Sequence, residues 1–231
     1  MNARRGWSAA ALVFGLGVFV VTGVILSLRL HPVEPLDGAY GGEAMLAFEL
    51  AETPAELARV IGSDPPSAEA LAVRQDMDRA NHIDFLYMFL YAGFIACSCG
   101  SLALVHGRRW LWLGALLGPL AAVWDIAENM ALLSLTKPGA DVPALLAALH
   151  VRTLAKWELL AVASALFAAG FVGGSRRPVT VAAATVAILA VAAGVLAALS
   201  PASFIAPLAY VIAVVWIWQL AFAAVVFGRT A

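Results

Sequence analysis

The sequence predicts an all-α fold: a polytopic membrane helical bundle of about six transmembrane helices, forming one integral membrane domain over residues 1–231. Three observations lead there. The chain is 63% hydrophobic and 13% charged, where a soluble domain is about half apolar and about a quarter charged; its mean hydropathy is +0.90. Six apolar stretches each reach the length of about 20 residues that crosses a hydrocarbon core of about 30 Å. Basic residues collect in alternate connections between them, as they do beside the cytoplasmic ends of spans.

The six stretches are 8–30, 83–106, 110–133, 149–173, 179–199 and 206–227. Arg4 and Arg5 ahead of the first give it the look of a secretory signal. The apolar run is too long for that, and Arg29-Leu30-His31-Pro32 follows it in place of a small-x-small cleavage pattern, so a retained first span is expected. His106-Gly107-Arg108-Arg109 separates spans two and three, and Gly173-Gly174-Ser175-Arg176-Arg177-Pro178 separates spans four and five. With Arg4, Arg5 and Arg229 these basic groups fall on one side of a six-span topology, which makes that side, and both termini, cytoplasmic. Lys137 runs against the rule; Arg152 and Lys156 also count against it, but lie at or inside a span rather than in a loop.

Residues 31–82 are then extracytoplasmic. Glu43 to Ala51 reads as a short amphipathic helix with Met45, Leu46, Phe48 and Leu50 as its apolar residues. Thr53-Pro54-Ala55-Glu56 is a capping box with proline at the first helical position; it opens a second helix carrying Leu57, Val60 and Ile61 that Gly62 ends. Asp64-Pro65-Pro66 turns the chain, and Ser67 caps a third helix poised to run into span two. Two roles fit this segment: a lid over the outer end of the bundle, or plain packing in the interface plane.

Charge inside a membrane is costly and marks a site by default. Span two holds Asp84, Tyr87 and Tyr91, and span three holds Asp125, Glu128 and Asn129 in the run Trp124-Asp125-Ile126-Ala127-Glu128-Asn129. Spacings of three and four place each set on one helix face. Span four carries Arg152 and Lys156 one turn apart, with Glu158 nearly opposite. Asp125 is fifteen residues beyond Trp110, about 22 Å along a helix running outward. Asp84 begins a helix running inward, and Lys156 lies about one turn below the outer boundary on a helix that Asp141 caps. All three helices therefore bring polar groups to one layer, facing an outward-opening cavity that Trp124 is placed to wall.

Asp84, Asp125 and Glu128 face two bases, Arg152 and Lys156. Lys156 with Asp125 is the expected buried pair, leaving Glu128 or Asp84 as a proton carrier. The candidate catalytic residues are thus Asp125, Glu128, Lys156 and Asp84, with Tyr87, Tyr91, Asn129, Arg152 and Trp124 as candidate substrate contacts. That set suits acid–base work. It suits equally a polar network that holds three helices together.

Other chemistries find less support. His82 and His150 are ligand types beside the carboxylates but sit at helix ends, and no His-x-x-x-His or Glu-x-x-His pairing occurs, so neither metal nor cofactor is expected. Cys97 and Cys99 are two apart on one helix and read as small packing residues. The net charge of −1 gives no reason to expect nucleic acid. Trp7, Trp110, Trp112, Trp157, Trp216 and Trp218 fit interface anchoring. Spans five and six carry no charge, so they are expected to face lipid or a second copy of the chain in a homo-oligomer.

Asp84 with Tyr91, then Asp125-x-x-Glu128-Asn129, then Lys156, together with Phe48-Glu49-Leu50-Ala51 to Ile61-Gly62, resembles a group of uncharacterised bacterial multi-pass membrane proteins over about residues 40–175. The resemblance implies a bacterial inner-membrane protein and nothing about substrate. Three functions follow as expectations. The first is binding of, or acid–base action on, a lipid-like or hydrophobic small molecule from the outer leaflet. The second is a structural or accessory subunit with the polar cluster as glue. The third is a proton-coupled transporter, for which Gly114, Gly118 and Pro119 mark the one plausible helix break.

Overall fold

A computed structural model describes residues 3–172 and 177–229, and among these every regular element is helical. The helices are α1 (Ala3–Ser27), α2 (Ala44–Glu49), α3 (Pro54–Ile61), α4 (Ala68–His106), α5 (Leu111–Leu135), α6 (Val142–Ala169), α7 (Arg177–Leu199) and α8 (Pro201–Arg229). Of the linker expected between spans four and five, residues 173–176 lie outside the described residues.

Five helices, α1, α4, α5, α7 and α8, are long and apolar enough to cross a membrane. The sixth long helix, α6, has 28 residues; Arg152, Lys156 and Glu158 set it apart. The six long helices form a closed ring. α1 packs on α4, α4 on α5, α5 on α6, α6 on α7 and α7 on α8, and α8 returns to α1 while leaning inward on α6 and α4. The expectation that spans five and six are peripheral therefore holds only in part. α7 buries little more than Ala183, Ala190, Gly194 and Ala197, whereas α8 buries Ile212, Val215, Trp216 and Gln219 inside the ring.

The two expected caps carry helices beyond the apolar spans. Ser67 accepts a hydrogen bond from the Ala70 N–H and starts α4, which runs unbroken for 39 residues. Asp141 accepts from the Ala144 N–H, so α6 starts seven residues before the 149 read from the apolar run. The Thr53–Glu56 box forms as expected, with both reciprocal bonds in place.

α5 is continuous through Pro119, so the expected break is absent. Its glycines serve packing instead. A β-carbon at Gly118 would lie 2.8 Å from Cβ of Ile95, and one at Gly114 would lie 2.9 Å from Sγ of Cys99. Both positions let α4 and α5 approach closely, as small residues do between membrane helices.

Two apolar cores result. The larger lies within the ring and includes Tyr91, Phe94, Leu102, Leu111, Phe167 and Trp216. The smaller joins α2 and α3 to the N-terminal turns of α4 and α6 and the C-terminal turns of α5, through Phe48, Ile61, Met77, Leu132 and Leu149. Arg74 of α4, almost fully buried, secures this outer cap: it donates to the carbonyls of Ile61 and Gly62 and pairs with Asp64 at 2.8 Å. A turn at Ala39–Gly42 rests on the start of α8. Gly41 in that turn has a φ of +66°, and a β-carbon there would lie 2.9 Å from Cβ of Ala206. Glycine is needed at this position for both conformation and space.

Candidate functional site

Charged side chains gather where the two cores meet. Lys156 projects from α6 and is 5% exposed. Its Nζ donates to Oε1 of Glu128 at 2.9 Å and to Oε2 of Glu49 at 3.1 Å, and lies 3.2 Å from Oδ1 of Asp125. Three carboxylates from α2 and α5 therefore surround one ammonium. Asp125 is further held by Tyr91 of α4, whose hydroxyl donates to Oδ2 at 2.8 Å. On the next turn of α5, Asn129 donates to Oδ2 of Asp84 at 2.9 Å and to the backbone oxygen of Asn81 at 3.2 Å.

The spacing in each helix explains the convergence. Residues three or four apart share a face, so α4 presents Asp84 and Tyr91 to α5, with Tyr87 between them turned to Trp216 of α8, and α5 presents Asp125, Glu128 and Asn129 toward α4 and α6. The expected pair of Lys156 with Asp125 is present, but Glu128 is equally a partner. Asp84 is left as the carboxylate without a cation among the described residues, its one side-chain donor there being Asn129.

Three candidate contacts stand elsewhere. Trp124 is 37% exposed and is absent from the cavity wall. Arg152 is turned back on α5, donating to the carbonyl of Ala127 at 2.8 Å. Asn129 braces Asp84 without reaching the cavity. Glu158 faces α7, where a β-carbon at Gly194 would be 3.0 Å from its carboxylate.

A cavity of about 280 Å³ adjoins the cluster. Its polar wall is Glu49, Asp84, Asp125 and Lys156. Tyr87, Tyr91 and Trp216 form an aromatic side, with Tyr91 and Trp216 stacked at 6.0 Å and Tyr87 against Tyr91 at 5.7 Å. Apart from Thr22 the remaining wall is apolar, from the outer half of α1, from Trp157 and Leu160 of α6 and from the middle of α8.

Sequence reasoning missed Glu49, Trp157 and Trp216. Glu49 carried a signal: it lies three and four residues after Leu46 and Met45, on the apolar face of a short amphipathic helix, where an acid needs a buried partner. Trp216 and Trp157 are cavity residues rather than interface anchors, and no local pattern separates the two roles. The histidines stand apart from the cluster, His82 on the Asp78 carbonyl and His150 beside Glu52 at 3.4 Å. Among the described residues no group of three or more histidine, cysteine or acidic side chains is arranged to hold a metal ion.

Comparison with known proteins finds no matching family model, no matching curated protein and no matching solved structure.

Proposed function

We propose that this chain is a six-span protein of the bacterial inner membrane whose cavity binds a lipid-like or hydrophobic small molecule, with its polar part against Asp84, Asp125 and Lys156. The carrying observation is that these ionisable groups line an open space with apolar and aromatic walls instead of being packed shut. Pockets of this character, mostly apolar with a few convergent polar groups, are the usual form of a small-molecule site. Asp84, with no cation beside it among the described residues, is the group available to exchange a proton with the bound molecule.

Topology supports a sixth crossing by α6. Arg5 lies over the ring of Phe227 at 5.1 Å, which brings the start of α1 and the end of α8 to one end of the bundle. An even number of crossings follows, and α6 supplies the one beyond the five apolar helices. Arg108 donates to the carbonyl of Val172 at 2.7 Å, so the ends of α4 and α6 share that basic end as well. Placing it in the cytoplasm puts α2, α3 and the polar cluster toward the outer face.

Purification in a mild detergent followed by native mass spectrometry tests the reading. A co-purifying amphiphile is expected on the wild-type chain and not on Ala209→Trp, which fills the cavity wall. An equal load on both proteins would refute it.

The three-way pairing of Lys156 favours one other reading, an accessory subunit whose charges only fasten helices. On that reading Ala209→Trp changes no bound molecule and Lys156→Met lowers stability alone. Transport has less support, since α5 is unbroken and the inner half of the ring is filled by Cys99, Leu102, Leu111 and Phe167.

A further inference from the structure

Resting on the reading of the cavity as a ligand site, we infer that its ligand is an amphiphile with an ammonium head that comes from the membrane through the outer gap between α1 and α8, its head meeting Asp84 and the aromatic wall.

The route follows from where α1 and α8 touch. In their inner halves they are in close contact: a β-carbon at Gly15 would lie 2.9 Å from Leu220, and Arg5 covers Phe227. In their outer halves both instead supply cavity wall, from Val18 to Leu26 on α1 and from Ala209 to Trp216 on α8. Leu26 is 65% exposed and Ala213 is exposed, yet both line the cavity, so its rim is on the outside of the ring. That outer surface is apolar and, in a membrane, faces hydrocarbon. The other end of the cavity is closed by the cap, where the Glu49 carboxylate is fastened to Lys156 and Thr153 donates to the Glu49 carbonyl at 3.1 Å. The sides are closed by α4, α5 and α6. An opening between two membrane helices admits molecules dissolved in lipid.

Size agrees with this. At about 30 Å³ per water-sized group, a volume of about 280 Å³ holds roughly nine such groups. It encloses a head and a few carbons, and a longer chain must extend through the rim into the bilayer.

The head's charge follows from the balance of the wall. Glu49, Asp84, Asp125 and Glu128 are four acids, and among the described residues Lys156 is the single cation that bonds to this set. Lys156 is already shared by three of them, which leaves Asp84 to a ligand. An ammonium beside Asp84 favours the ionised carboxylate and supplies the cation that the chain does not place there, whereas an anionic head would be repelled by that carboxylate and by its neighbours. Tyr87, Tyr91 and Trp216 present ring faces and edges beside Asp84, a setting in which cations are attracted to aromatic quadrupoles.

Titration of the purified full chain in a nonionic maltoside detergent, followed by intrinsic tryptophan fluorescence and unfolding temperature, tests this with four probes: dodecylammonium, dodecanol, dodecanoate and butylammonium. Dodecylammonium is expected to bind at least about tenfold more tightly than dodecanol, dodecanoate more weakly than either, and butylammonium not detectably. Asp84→Asn should abolish the tenfold preference and Asp84→Glu should keep it; Ala213→Trp at the rim should weaken all long-chain probes. Equal affinity for dodecylammonium and dodecanol, or a preference that survives Asp84→Asn, overturns the ammonium assignment. Butylammonium binding as tightly as dodecylammonium overturns access from the membrane. If no long-chain probe binds at all, the cavity is not a ligand site and the proposed function falls with the inference.

Discussion

The phenol of Tyr91 donates to the carboxylate of Asp125 across 2.8 Å, joining α4 to α5 at the level where the apolar core of the ring gives way to charge. Tyr91 is nearly inaccessible and its ring stacks on Trp216, so one side chain ties the ion cluster to α8 as well. Because its oxygen is both buried and bonded to a charged acceptor, it holds Asp125 in the orientation that Lys156 meets.

Tyr91→Phe keeps the ring and removes only the hydroxyl. Loss of a donor to a buried carboxylate costs about 1–3 kcal/mol, and the unfolding temperature in detergent should fall accordingly. If Asp125 is positioned by this bond, Tyr91→Phe should also weaken binding of any cavity ligand while Phe167→Leu, in the same core but away from the acids and the cavity wall, should lower stability alone. Unchanged stability in Tyr91→Phe would show that the bond contributes nothing net.

Lys156→Met leaves Glu49, Asp125 and Glu128 facing one another without their cation. Breaking a buried ion pair by removing one partner costs about 3–5 kcal/mol, so this variant should be the least stable of the set. Glu49→Gln should be milder and local, because Lys156 retains two carboxylates. Its expected mark is faster limited proteolysis within residues 43–66, with the ring intact. The double variant should lose less than the sum of the singles, since both remove the same contact; strict additivity would mean that the two side chains do not interact.

Gly118→Leu tests the close approach of α4 and α5. The new side chain would collide with Ile95 on a helix that cannot yield without moving Asp84 and Tyr91. Overpacking of this kind costs about 1–3 kcal/mol or more, and the cavity should distort with it. Gly107→Ala, at the end of α4 where nothing lies within 4 Å, controls for the loss of a glycine, although its φ of +66° carries its own strain.

Much of this architecture was legible from residue order alone. The long apolar runs announce helices whatever they pack against. Asp125, Glu128 and Lys156 could be placed together because two spacings and three helix directions fix their faces and depths. The caps were legible too: Asp141, with Pro143 behind it, starts α6 ahead of its apolar run and gives Leu145, Leu146 and Leu149 to the outer core, and Ser67 starts a helix that no residue in 68–82 breaks, so it runs on into span two. The misplacements have specific causes. Trp216 and Trp124 exchanged roles because depth along a helix is readable from position, while the rotation of α8 about its axis depends on contacts with α1, α4 and α6. Glu49 escaped for a related reason: its partner is in a different helix, and nothing near it in the chain announces that partner.

Glu49 and Lys156 are 107 positions apart. The ribosome therefore delivers the acid long before the base, and α4 and α5 are made in between. Until α6 arrives, Glu49 has no ammonium to receive it, and Phe48 and Ile61 lack the Leu146 and Leu149 surface they finally cover. The outer cap is consequently a late product of biogenesis: a chain arrested before α6 should display it unfolded, open to quality-control proteases, while the α1–α4 contact is already complete.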